Sequence, residues 1–392
     1  MLSRSRIVAL GVTGAAVVAF SGVAAADPHR LNGWPYAGSS EHQHSYTLAA
    51  VGDIACEPDN QQNAGNPASL KCNGTEIGGL PAEFATAQQA TAMHPDAVAL
   101  LGDEQYQVGK LSDFEQSFEQ TWGGLKFLER PAPGNHEYYA YTKHGDNEPA
   151  QNGNGYFGYF NGHDANGVPN PQGQAGDDTA DRQGWYSYDL GNWHIVALNN
   201  ECKSTAFGND CSTSDAGLLA QETQWLKADL ARSHQPCTLA YWHQPTFTAA
   251  DSSTDVPDPS APGADSTEGL AADAWWKLLY ADHATLVLNG HEHYYARFRP
   301  QNADGRFDPR HGITQFTVGS GGEALDTLAR TSTGAFSNPN VVTGQDQAYG
   351  VLQLKLNPHG YTFAYRPAAA GAGADPATAL QYLDSGSGSC RS

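Results

Sequence analysis

Five short stretches of this 392-residue chain carry side chains that could hold a metal ion. They are Gly52-Asp53-Ile54-Ala55, Gly102-Asp103-Glu104-Gln105-Tyr106, Gly134-Asn135-His136-Glu137, Tyr241-Trp242-His243 and Gly290-His291-Glu292-His293. Their donors are a carboxylate, a carboxylate with a phenol, a carboxamide, an imidazole and a pair of imidazoles. Hard oxygen mixed with borderline nitrogen suits a divalent or trivalent ion. His291 and His293 are two residues apart, so on an extended segment both would point to one side. Taken singly, each stretch reads as a turn, a surface histidine or a core residue. The ordered series from residue 53 to residue 293 is what points to one site.

Such donors can meet only if the elements before them end on a common rim. The stretches follow segments that read as strands, and in open α/β sheets ligands gather outside the carboxyl ends of the strands. Strands are predicted at Tyr46–Val51, Ala97–Leu101, Trp185–Leu190, His194–Leu198, Thr238–Trp242, Thr285–Leu288, Thr314–Val318, Val351–Leu356 and Tyr361–Tyr365. Helices are predicted over Ala82–Met93, over Ala216–Ala231 after an Asp215 cap, and over Gly269–Ala281. This alternation implies an α/β fold with packed sheets. Lys143–Gln183 and Ala249–Glu268 read as long loops, functional or disordered. Pro367–Thr378 reads as an extended connector to a C-terminal tail.

The series Asp53, Asp103-x-x-Tyr106, Asn135-His136-Glu137, His243, His291-x-His293 resembles the calcineurin-like metallophosphoesterases, and within them the purple acid phosphatases. The resemblance spans roughly residues 45 to 366. It implies a single-domain four-layer α/β/β/α sandwich with a dinuclear metal centre. By the match, Asp53, Tyr106 and His293 hold the first metal, Asp103 bridges, and Asn135, His243 and His291 hold the second. Asp103 and His136 are then the catalytic pair, with His136 binding phosphate or moving protons without touching metal. The broad superfamily has Asp-x-His at the first stretch, whereas here Ile54 and Ala55 follow Asp53. Purple acid phosphatases lack that histidine too and use the tyrosine that Tyr106 matches. A phenolate implies iron(III) at the first position, with iron, zinc or manganese at the second. Two metals would leave the centre net positive and able to attract a phosphate ester, polarise it and supply hydroxide. Two departures stand out. Ala55 replaces a usual glycine, and the substrate-contacting histidine that plant-type enzymes carry between His243 and His291 is missing, since only His283 lies there.

Composition agrees with this reading. The formal charge of −21 offers no basic surplus for a nucleic-acid backbone. Arg4 and Arg6, the apolar run Ile7–Phe20 and the small residues Ser21–Ala26 read as a signal peptide over residues 1–26. The organisation expected is therefore a signal peptide, a metallophosphoesterase domain over 27–366 and a tail over 367–392. Export would make the protein secreted or extracytoplasmic, with no membrane span. Six cysteines then suggest disulfides, and of the roughly 15 connectivities open to them Cys56–Cys72, Cys202–Cys211 and Cys237–Cys390 is the one that would staple two short loops and tether the tail. The expected substrate is a small phosphomonoester. The rival readings are a phosphodiesterase or nucleotide hydrolase on the same centre, a secreted metal- or phosphate-binding protein, and a cell-wall structural protein. The sequence sets no oligomeric state.

Overall fold

A computed structural model describes residues 44–58, 82–141, 148–162, 172–177, 183–214, 216–249, 266–371 and 373–391. Within them the strands are β1 (Tyr46–Val51), β2 (Ala97–Leu100), β3 (Glu129–Pro131), β4 (Gln172–Gly173), β5 (Gly176–Asp177), β6 (Tyr186–Leu190), β7 (Trp193–Ala197) and β8 (Cys237–Tyr241). They continue as β9 (Leu286–Asn289), β10 (Tyr295–Phe298), β11 (Thr314–Val318), β12 (Val341–Gln345), β13 (Ala348–Asn357), β14 (Gly360–Ala370) and β15 (Ser385–Ser389). One sheet has the order β15-β14-β13-β1-β2-β3, the other β12-β10-β11-β9-β8-β7-β6. β1, β2 and β3 pair in parallel, as do β7, β8, β9 and β11. The parallel centre of each sheet therefore sends its carboxyl ends to one rim.

The burial pattern explains the layers. In β1, Leu48 and Ala50 join an inter-sheet core with Ile195, Leu239, Leu288, Phe316 and Leu354. The alternate residues Ala49 and Val51 face outward and pack with Ala87, Ala90 and Met93 of helix Ala82–Ala92 and its surroundings. Val196, Ala240 and Val287 of the other sheet meet Leu219, Leu226 and Trp275 from helices Leu218–Arg232 and Ser266–Ala281. Strands covered on both faces read as continuous apolar runs, the kind seen at Ala97–Leu100. The result is an α/β/β/α sandwich.

Several elements differ from expectation. Helix Leu218–Arg232 is capped at Gly217, and Asp215 lies outside the described residues. Within Lys143–Gln183 a helix, Asn154–Phe160, buries Tyr156, Phe157, Tyr159 and Phe160. The stretch expected to be an extended connector instead continues β14 to Ala370 and then forms the turn of helix Pro376–Ala379. β14 crosses residue 366, and β15 pairs with it, so the C-terminal residues complete the sheet edge. Cys202–Cys211 and Cys237–Cys390 are bonded as expected. The Cys56–Cys72 pairing rests on Cys72, which lies outside the described residues, as do residues 1–26. Among the described residues no helix is long and apolar enough to cross a membrane.

Candidate metal centre

All eight residues singled out in the sequence come together at the shared rim. Asp53 follows β1, Asp103 and Tyr106 follow β2, and Asn135 and His136 open the short helix Asn135–Tyr138 after β3. His243 follows β8, and His291 and His293 follow β9. The backbone turns sharply to present them. Asp53, Asp103 and His291 hold φ values of 60, 50 and 68°, a left-handed conformation that costs non-glycine residues energy and gathers at functional sites. Gly102, at φ 90°, has no room for a side chain, because a Cβ there would run into the His243 ring.

The donors form two adjoining pockets. Tyr106 Oη lies 3.0 Å from Asp53 Oδ1, 3.2 Å from Asp103 Oδ2 and 3.2 Å from His293 Nε2. Beside it, His243 Nε2 and His291 Nδ1 each lie 3.0 Å from Asn135 Oδ1, and 3.3 Å from each other. Asp103 Oδ2 faces both pockets, since it is also 3.1 Å from His243 Nε2. Donors sharing one ion at about 2.0–2.2 Å lie roughly 3–3.5 Å apart, so each cluster has the spacing of a ligand shell. Asp103, His243 and His291 each offer one ligand atom, and these atoms all lie within 4.8 Å of one another.

The histidines are oriented from behind. His243 Nδ1 meets the Leu101 carbonyl at 2.8 Å, and His293 Nδ1 meets that of Ala324 at 2.8 Å, leaving each Nε2 for the pocket. His291 instead presents Nδ1. The stretch Gly290–Tyr294 is a bend with a left-handed His291, not the extended segment expected. The two imidazoles therefore reach different pockets. His136 stands apart, with Nδ1 held 2.6 Å from the Gln107 carbonyl and Nε2 4.0 Å from Asp103 Oδ2. His283 lies near His311 instead.

Glu137 stands in its motif with no role that the sequence assigns, and the structure supplies one. Its buried carboxylate accepts from the amides of Gly134 at 2.8 Å, Asp103 at 3.0 Å and Gln105 at 3.2 Å. One side chain thus fastens the turn after β2 to the turn after β3. Its place three residues beyond Gly134, where a capping-box glutamate sits, was the available signal.

The electrostatics without a cation are those of a crowded acid–imidazole cluster. Burial opposes it, yet the Asp103 carboxylate lifts His243 to about 10. Asp103 is itself held low, as the charges of His243 and His136 outweigh its burial. Burial and the His243 charge push His291 down to about 3. Burial, then Asp103 and Asp53, drive the Tyr106 phenol well above its ordinary value. A phenolate can stand between two carboxylates only with a strong positive charge beside it. Two carboxylates, a phenol, a carboxamide and three imidazoles converging here fit a metal pair.

The calcineurin-like phosphoesterase family model matches residues 27–295. The chain belongs to that family. Among curated proteins, this chain is 26% identical over 267 residues to an uncharacterized protein of Mycobacterium tuberculosis, spanning 59% of this chain and 45% of that one. It is 26% identical over 179 residues to purple acid phosphatase 18 of Arabidopsis thaliana, 45% of this chain and 35% of the relative. The chain thus spans less than half the length of these relatives. Among solved structures it resembles a purple acid phosphatase from yellow lupin seeds, with a TM-score of 0.58 at 16% identity, over 90% of this chain and 55% of that one. It also resembles PhoD, with a TM-score of 0.52 at 14% identity, over 82% and 66% of the two chains. A Plasmodium protein described as the anchor in the inner membrane complex scores 0.50 at 11% identity, over 87% and 88%. At such identities these structures share the fold alone, and one fold can carry unlike functions.

Proposed function

We propose that the chain is an exported phosphomonoesterase of purple acid phosphatase type, working on small phosphorylated substrates. The observation that carries this reading is the Tyr106 hydroxyl within 3.0–3.2 Å of Asp53, Asp103 and His293. In this reading Asp53, Tyr106, His293 and Asp103 hold iron(III), and Asp103, Asn135, His243 and His291 hold iron, zinc or manganese. When bound, such a metal pair supplies Lewis-acid charge for the phosphoryl oxygens and an activated water as nucleophile. Asp103, whose Oδ2 faces both pockets, would be shared between the two ions. His136 has its Nδ1 tied to a carbonyl, so Nε2 is free to hold a phosphate oxygen or move a proton. The catalytic domain is taken to follow a signal peptide at 1–26 and to run past residue 366, because β14 and β15 belong to its sheet. Two disulfides support export, because such bonds persist in oxidising compartments.

Turnover of p-nitrophenyl phosphate against its bis-ester tests the substrate class, and a preference for the bis-ester would favour the phosphodiesterase reading. Metal analysis with a visible spectrum tests the centre. Two metals per chain and a phenolate-to-iron(III) band lost in Tyr106→Phe are expected. An active, fully metallated wild type without a visible band would remove iron(III) and leave the phosphoesterase.

A further inference from the structure

The segment that follows β11, Gly319-Ser320-Gly321-Gly322-Glu323-Ala324-Leu325-Asp326, lies beyond the residues matched by the family model. It threads between the turn that carries Asp53 and the turn that carries His293. Toward the first, the Gly52 amide donates to the Val318 carbonyl at 2.9 Å, the Gly321 amide to Gly52 at 3.0 Å and the Glu323 amide to Asp53 at 3.1 Å. Toward the second, the Gly319 amide donates to Tyr294 at 3.1 Å and the Asp326 amide to the His293 carbonyl at 3.0 Å. The glycines permit this approach, since a Cβ on Gly321 would strike the Gly52 carbonyl and one on Gly322 that of Ile54.

His293 is held at three points by this segment. Its carbonyl takes the Asp326 amide, its own amide donates to Asp326 Oδ2 at 2.9 Å, and its Nδ1 sits 2.8 Å from the Ala324 carbonyl. The last contact fixes which ring nitrogen faces the Tyr106 pocket. The Asp326 bond closes a ring with the backbone of His293 and so fixes where that ring stands. We propose that the loop 319–326 is the orienting wall of the first metal position and that Asp326 is its positioning residue. This rests on the reading that His293 binds metal.

The test uses the full chain loaded with iron. Metal per chain, chelator competition for the first ion, the visible band and the thermal midpoint of the metal-free protein are measured for wild type, His293→Ala, Asp326→Ala and Asp326→Asn. Partners standing behind a metal ligand typically set affinity by about 10–100-fold. Asp326→Ala should weaken the first ion on that scale and shift or dim the band, while the second ion and the metal-free midpoint stay near wild type. Asp326→Asn keeps an oxygen acceptor for the His293 amide and should recover most of the affinity. Wild-type affinity in Asp326→Ala, with His293→Ala still losing an ion, would overturn this inference alone. Equal loss in Asp326→Ala and Asp326→Asn would also overturn it, by assigning the effect to charge rather than placement. Unchanged metal content in His293→Ala would overturn the metal reading itself, and this inference with it.

Discussion

Glu137 faces the backbone and not the pockets, yet it fastens two of the site's turns to each other. A carboxylate can accept three amide bonds, whereas a carboxamide must turn an N–H₂ toward one of them. Glu137→Gln should therefore slacken the turns bearing Asp103 and Asn135 together. Both metals should bind more weakly in that variant, measured as metal per chain after dialysis. Unchanged content would mean that the other bonds suffice. His136→Ala should behave in the opposite way, with full metal content and turnover lowered by roughly 10²–10⁴-fold, the range for proton-transfer groups. Loss of one ion would make His136 a ligand. Every proposed ligand was legible in the sequence, because ligands must be particular residue types at strand ends. The groups behind them were less so. The Leu101 and Ala324 carbonyls that orient His243 and His293 belong to ordinary residues, and Asp326 resembles any surface acid until the chain has folded.

The strands at the heart of each sheet could be read because burial on both faces forces apolar runs. Among the described edge strands β6 could be read as well, but β3, β12 and β15 could not. β15 is Ser-Gly-Ser-Gly-Ser, with no strand preference of its own, and exists through pairing with β14 and the neighbouring Cys237–Cys390 bond. The helix Asn154–Phe160 has little helical signal in its sequence because two of its seven residues are glycine, and Tyr159 and Phe160 are held by packing on Phe114 and Phe118. One inter-element contact has a pH signature. In β7, His194 is buried between Asp189 of β6, at 3.0 Å, and Asp229 of helix Leu218–Arg232, at 2.8 Å. Burial disfavours its charge, but the two carboxylates win and lift it to about 9 from an ordinary 6.5. Stability from this clamp is complete below pH 6.5 and is lost as pH rises through 9. At about 1.4 kcal/mol per unit, the loss is of the order of 3 kcal/mol. Between pH 6.5 and 9.5 the thermal midpoint should fall more steeply in wild type than in His194→Gln. Parallel slopes would mean that His194 is neutral throughout.

At the scale of the molecule, an acidic chain with a formal charge of −21 repels anions, so attraction of a phosphate must be local to the centre. That centre is also where the two sheets meet. Asp53, Asp103, Tyr106 and Asn135 come from one sheet, and His243, His291 and His293 from the other. Neither sheet alone offers a complete shell, so under the proposed reading each ion is a rivet through the sandwich. Ligand binding to the native state alone stabilises by about 4 kcal/mol at a thousandfold excess over the dissociation constant. Chelation should accordingly lower the thermal midpoint by several degrees and open the rim to protease, and restoring metal should reverse both. A midpoint indifferent to chelator would mean that the sheets hold together unaided. If the rivet holds and the chain is exported as proposed, its lifetime among extracellular proteases would be set by metal supply as much as by its own sequence.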